Sequence, residues 1–294
     1  NLIGFNAPFV DNATKALNND YSGTKELTGF KVYGTVQGNL DPVNIFKDVQ
    51  INRNKKDFNV AWDYADASDA EYWVPGCTYN FAAIVDGTVP ADGYTTTGMP
   101  AKINYTIGDG DLLYATATAS TVDNTNPGLV AFTFDHLLSK AYFTVDTNQM
   151  SGDNTSYTYL VKDLRINNAF KEATYTIGTG VWAGTANYST IDPLTFDNVN
   201  AGNKLVADNS YTSDLARLLV PATYTDLNIT CTIETLYGDA VIDVQNYNKS
   251  IAQEFVKGYV YNFMLALKDP GQPIEFTVTR VNEWIPTGDA NNQT

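Results

Sequence analysis

In VAFTFDHLLSKAYFTV, residues 130–145, apolar and polar side chains alternate twice, and the two alternations do not match. Val130, Phe132 and Phe134 share one face of an extended chain; Ala141, Phe143 and Val145 share one face of another, out of phase with the first. Side chains along a strand alternate with period two, so a slip of one residue turns every side chain to the opposite face. The segment Asp135 to Lys140 must therefore kink or bulge the chain between two strands. That break also carries His136, the chain's only histidine.

The same period recurs along the whole sequence. Tyr259, Tyr261, Phe263, Leu265 and Leu267 share one strand face, and Ile274, Phe276 and Val278 share the next, with the turn-forming Asp269-Pro270-Gly271-Gln272-Pro273 between them. Further alternating runs stand at 30–36, 79–85, 157–161 and 229–233. The best helical signal, residues 213–219, is limited to about two turns by Pro221. Many short strands joined by polar turns predict an all-β chain of antiparallel β-sandwiches. The polar, Pro/Gly-containing stretch 121–128 separates two apolar regions, which predicts an N-terminal domain over 1–125 and a C-terminal domain over 126–294.

Composition narrows the function. The chain has 294 residues, 44% of them hydrophobic, enough for substantial cores. Its net charge of −15 and the absence of any basic run argue against nucleic acid and anionic lipid surfaces as partners. No stretch reaches the roughly 20 apolar residues needed to span a bilayer. Asn1 in place of an initiating Met is read as a processed form whose signal peptide or lipid-bearing cysteine has gone. Cys77 and Cys231 each fall in phase with apolar strand neighbours and read as buried hydrophobes.

Candidate chemistry is sparse. A catalytic histidine needs a nucleophile and an orienting carboxylate; Asp135 adjoins His136, but no activated Ser or Cys pattern accompanies the pair, and a metal site would need more ligands. His136 is read as structural. Asp109-Gly110-Asp111 resembles a fragment of a calcium loop without its terminal Glu, and reads as a solvated turn. Asp63, Asp66, Asp69 and Glu71 form an acidic loop patch. No catalytic, cofactor or metal residue is assigned, and no enzyme is expected. Tyr64, Tyr72, Trp73, Tyr94 and Trp182 sit in turn-rich contexts where aromatic rings can stack on sugars, which keeps a surface glycan-binding protein as the alternative.

Several segments carry a resemblance. FTFDHLLSKAYFTV (132–145), DLLYA (111–115), LLVP (218–221), GYVYNFMLAL (258–267) and IEFTVTRVNEW (274–284) resemble, in the same order, segments of the fimbrillin-like proteins of Bacteroidetes, the type V pilins and their surface-lipoprotein relatives. IGFNAPFVDNATKA (3–16) and GFKVYGTV (29–36) resemble that family's first strands.

The resemblance implies two tandem transthyretin-like β-sandwich domains, with His136 as a packing and hydrogen-bonding residue in the first strand of the second and Trp284 closing the last strand pair. It further implies a fimbrial subunit or fimbria-associated adhesin at the cell surface, exported through a lipoprotein precursor. Partners would be other pilin subunits, together with host proteins or glycans, and the membrane would be met only through a lipid anchor. In such pilins a protease removes an N-terminal strand and a strand of the next subunit fills the groove. Here the displaceable strand is Leu2 to Val10, with Ile3, Phe5, Ala7 and Phe9 on one face. Cleavage would follow Lys15 or Lys25, since the Arg that an arginine-specific protease requires is missing near this point. The donor would be the last strand, with Ile274, Phe276 and Val278.

Overall fold

The computed structural model describes residues 1–7, 27–54, 62–108, 110–151, 156–213 and 216–283. These form twenty strands and no α-helix among the described residues. The period-two patterning of the sequence thus becomes structure: this is an all-β chain. It divides into two compact units, 1–137 with 173–183 and 285–294, and 138–172 with 184–284.

In the first unit, β1 (Gly4–Asn6), β2 (Gly29–Gln37), β3 (Val43–Arg53), β4 (Trp62–Tyr64), β5 (Thr78–Val85), β6 (Lys102–Thr106), β7 (Leu113–Ser120), β8 (Leu129–Ala131) and β9 (Asp135–His136) follow in chain order. The main sheet runs β4-β3-β2-β5-β7-β9, all antiparallel, while β1 and β8 form a separate parallel pair. Alternate residues of the sheet, such as Phe30 and Val32 on β2 and Tyr79, Phe81 and Ala83 on β5, are buried in one core. Phe5, Val130, Phe132 and Phe134 close that core from the other side: Phe30 meets Phe132 and Phe134 edge-on, each at 5.7 Å.

The second unit contains β10 (Ser139–Gln149), β11 (Tyr157–Ile166), β12 (Phe170–Thr176), β13 (Val181–Asn187), β14 (Leu194–Thr195), β15 (Ser210–Thr212), β16 (Arg217–Leu219), β17 (Thr223–Tyr237), β18 (Ala240–Glu254), β19 (Tyr259–Lys268) and β20 (Glu275–Glu283). The portion 173–183 of the β12–β13 hairpin is counted with the first unit, where β12 pairs with β6. One sheet runs β15-β10-β19-β20 with β16 also on β10; the other runs β14-β11-β17-β18. Ala141, Phe143, Val145, Ile229, Cys231, Ile233, Phe263 and Leu265 are buried in a second core that both sheets line. The β10–β19 pairing is parallel, the rest of these ladders antiparallel.

The phase break of residues 130–145 now has a cause. Val130, Phe132 and Phe134 feed the first core, and Ala141, Phe143 and Val145 feed the second. Leu137, Leu138, Ser139 and Lys140 between them are buried one after another. The chain changes cores there, and the alternation restarts. The first compact unit therefore runs on to Leu137, past the break expected near residue 125. His136 lies in β9, opposite Leu113 of β7, in the first unit's sheet rather than in an opening strand of the second.

Part of the stretch 213–219, expected to be helical, lies outside the described residues, and the described part is extended. Arg217–Leu219 is a strand, with Ser139 opposite Leu219, and Ser213 exchanges bonds with Phe143: its N–H donates to the Phe143 carbonyl and its Oγ accepts from the Phe143 N–H. Pairing to the edge of β10 outweighs a short helix that its own side chains could not hold.

Candidate functional site

The candidate assembly site is built around β1. Local sequence dictates its geometry: in Leu-Ile-Gly-Phe-Asn-Ala the odd-numbered positions are apolar, so an extended chain turns them to one side. Ile3, Phe5 and Ala7 are 0%, 3% and 5% exposed, whereas Leu2 is half exposed. Phe5 stacks on Phe132 with centroids 5.9 Å apart, and meets Phe46, Tyr64 and Phe81 edge-on at 5.6, 5.9 and 6.1 Å. Four rings therefore form the socket of one side chain.

The backbone of β1 is held on both edges. Gly4, Phe5 and Asn6 stand opposite Leu129, Val130 and Ala131 in the parallel ladder, and the Phe132 N–H donates to the Asn6 carbonyl at 2.8 Å. On the other edge the Ile3 N–H donates to Glu71 and the Trp73 N–H donates to Asn1, both at 2.9 Å. The Tyr64 hydroxyl donates to the Ile3 carbonyl at 2.6 Å. Burial pushes the Tyr64 hydroxyl well above the usual tyrosine range, and the Glu71 and Asp69 carboxylates add to the shift.

This strand is short, and its attachment is mostly side chain. Full burial of Ile3 and Phe5 stabilises by about 1.5–3 kcal/mol each as an upper figure. Removing β1 would leave a trough lined by Phe46, Tyr64, Phe81 and Phe132, with the Glu71 carbonyl and the Phe132 N–H unpaired along its sides. Such a trough has the geometry that strand addition uses, with backbone groups for affinity and alternate pockets for register.

The other expected residues fall as follows. Phe9, Lys15, Lys25 and Trp284 lie outside the described residues. Ile274, Phe276 and Val278 are half-buried against the second core; Ile274 stands just before β20, and Phe276 and Val278 lie on it, at the edge of its sheet and paired with β19. His136 Nδ1 bonds to the Asp111 carboxylate, and both side chains are closed to solvent. No substrate reaches that pair, so its role is to bind β9 to the segment before β7. Asp111 is thus buried, not part of a solvated turn. Asp63, Asp66, Asp69 and Glu71 are exposed, and Asp66 caps its own short turn by accepting from Ser68 N–H and Oγ.

Trp73 is only 6% exposed and packs edge-on against Tyr79 at 4.8 Å, which rules it out as a sugar-stacking surface. Trp182 donates through Nε1 to the Leu137 carbonyl and sits against Tyr175. Cys231 is buried, with its thiol pushed up to about 12 by burial, and Cys77 is half-buried; both are free.

A family model described as fimbrillin-like matches residues 14–284. No curated protein matches the chain. Among solved structures, a fimbrial protein from Bacteroides vulgatus superposes with a TM-score of 0.64 at 14% identity, covering 97% of this chain and 99% of that one. Proposed cell adhesion proteins from Bacteroides uniformis and Bacteroides ovatus each give a TM-score of 0.52 at 16% identity, covering 97% of this chain and 98% and 97% of theirs. At such identities the likeness speaks for the fold.

Proposed function

The chain belongs to the fimbrillin-like family, and from that premise we propose that it is a non-enzymatic fimbrial subunit or fimbria-associated adhesin of a bacterial surface, assembled by β-strand exchange. Cleavage after Lys15 or Lys25 releases β1, and a strand from a second subunit takes its place. The observation that carries this reading is the burial of Ile3, Phe5 and Ala7, on and beside β1, in the first core.

The donor is β20. Ile274-x-Phe276-x-Val278, which starts one residue before it, repeats the Ile3-x-Phe5-x-Ala7 spacing, so the aromatic ring of one falls where the other places its own. Exchange replaces like with like, apart from a larger side chain at the third pocket. The fimbrial and cell-adhesion proteins that share the fold support a location at the cell surface; export through a lipoprotein precursor is part of the same proposal.

Mild trypsin treatment, read by unboiled gel electrophoresis and N-terminal sequencing, tests the reading. Expected is an SDS-resistant ladder whose new N-terminus follows Lys15 or Lys25. A trimmed chain that stays monomeric and takes up no Ile274–Glu283 peptide would overturn strand exchange.

A further inference from the structure

Strand β18 is the longest unprotected edge among the described residues. It pairs with β17 on one side and with nothing on the other among the described residues. Twelve of its fifteen residues are exposed, including Val241, Ile242 and Val244, each about half open. Natural edges are usually blunted by proline, by inward charges, by bulges or by brevity. Here the ladder has two irregularities, one near the start of β18, where Thr235 faces Asp243 and Leu236 faces Val241, and one near its end, where Leu227 faces Ile251 and Tyr224 faces Gln253. Between them residues 243–251 run on regularly, without proline.

The sequence of this edge is complementary to itself. Two copies related by a twofold axis perpendicular to the sheet pair antiparallel, and each residue must then face a partner of the same parity. When the axis passes through Asn246, Asp243 stands opposite Lys249, Val244 opposite Asn248 and Gln245 opposite Tyr247. Every other twofold register separates Asp243 from Lys249. The Asp243–Lys249 contact occurs twice by symmetry. Neither residue has an ion-pair partner within its own chain among the described residues. Both lie on the face of β18 whose β17 partners, Thr235 and Ile229, are buried. They are therefore inward charges, which oppose pairing in every register except the one that matches them with each other.

We propose that β18 is a self-association edge, which joins a second copy of this chain through an antiparallel β18–β18 pairing centred on Asn246. The two four-stranded sheets become one continuous sheet of eight strands. This contact goes beyond strand exchange at β1: it uses the other unit, needs no cleavage, and links subunits side by side.

Sedimentation of the full uncleaved chain across a concentration series tests it, with Asp243→Lys, Lys249→Asp and the double variant. Each single reversal places like charges opposite one another twice and should weaken dimerisation by roughly tenfold or more. The double reversal should restore it to near the starting value. Asn246→Cys should form an intermolecular disulfide readily on mild oxidation, because the residue faces itself. Ser250→Cys should not, since its two copies stand roughly 27 Å apart along the paired strands. A chain that is monomeric at about 1 mM, a double variant no better than the singles, or equal crosslinking at 246 and 250 would overturn the proposal. Because the chain is left uncleaved, these outcomes are independent of the trypsin result.

Discussion

Strands β1 and β18 are held in opposite ways. β1 is three residues long, and every apolar side chain it carries is sunk in the first core. β18 is fifteen residues long, and only Tyr247 and Ile251 lean on a core at all. One is anchored through side chains, the other through a backbone ladder to β17. Apolar burial stabilises in proportion to area, whereas a backbone hydrogen bond merely replaces one made to water. The lesson is that strand length is a poor guide to what removal would cost. The short strand guards a socket, and the long one presents an edge.

The comparison breaks most sharply at Phe5. Replacing Phe5 by Ala empties a site surrounded by four rings, and should cost about 3–5 kcal/mol of stability in denaturant unfolding. A loss below about 1 kcal/mol would show that the first core does not depend on β1, and the socket argument would fail with it.

A smaller effect is expected at Tyr64, which touches the same strand through one hydrogen bond. Tyr64→Phe removes the bond to the Ile3 carbonyl and should cost about 1 kcal/mol at neutral pH. The wild-type advantage should also depend on pH. The folded chain holds the Tyr64 proton more tightly than the unfolded chain does. Its contribution is therefore whole below the unfolded tyrosine value, about 10, and is lost as pH rises through the raised folded value. Unfolding of both proteins at neutral and at strongly alkaline pH measures this, and a gap that persists unchanged above pH 10 would assign the bond no role in holding β1.

Much of this was legible in the sequence, and the gaps have physical reasons. Strict alternation in Ile3, Phe5 and Ala7 identified a one-sided strand because a buried face imposes period two. The phase break at 135–140 was legible too, though not that it marks a passage between cores, since two cores give the same local pattern as one bulged sheet. Asp111 was misread because Asp-Gly-Asp has the composition of a turn, and only the distant His136 reveals why a carboxylate is buried there. Trp73 was misread because its neighbours Tyr72 and Val74, both exposed, are as apolar in appearance as it is. At 217–219 a local helical pattern lost to long-range pairing with β10. The edge at β18 was not legible at all: periodicity tells which face of a strand meets a core, never which strand ends the sheet.

The smallest effect lies on that edge. Val244 is 53% exposed on the face of β18 turned away from the second core, opposite Glu234. Val244→Thr keeps the branched shape that suits a strand and swaps a methyl for a hydroxyl that water already reaches. At low protein concentration the change should stay within about 0.5 kcal/mol. If dilute unfolding instead gave a loss of about 2 kcal/mol, Val244 would have to be covered in solution even in the single chain. The contrast between a strand held by its side chains and a strand held by its ladder would then collapse, because β18 too would be gripped by its side chains.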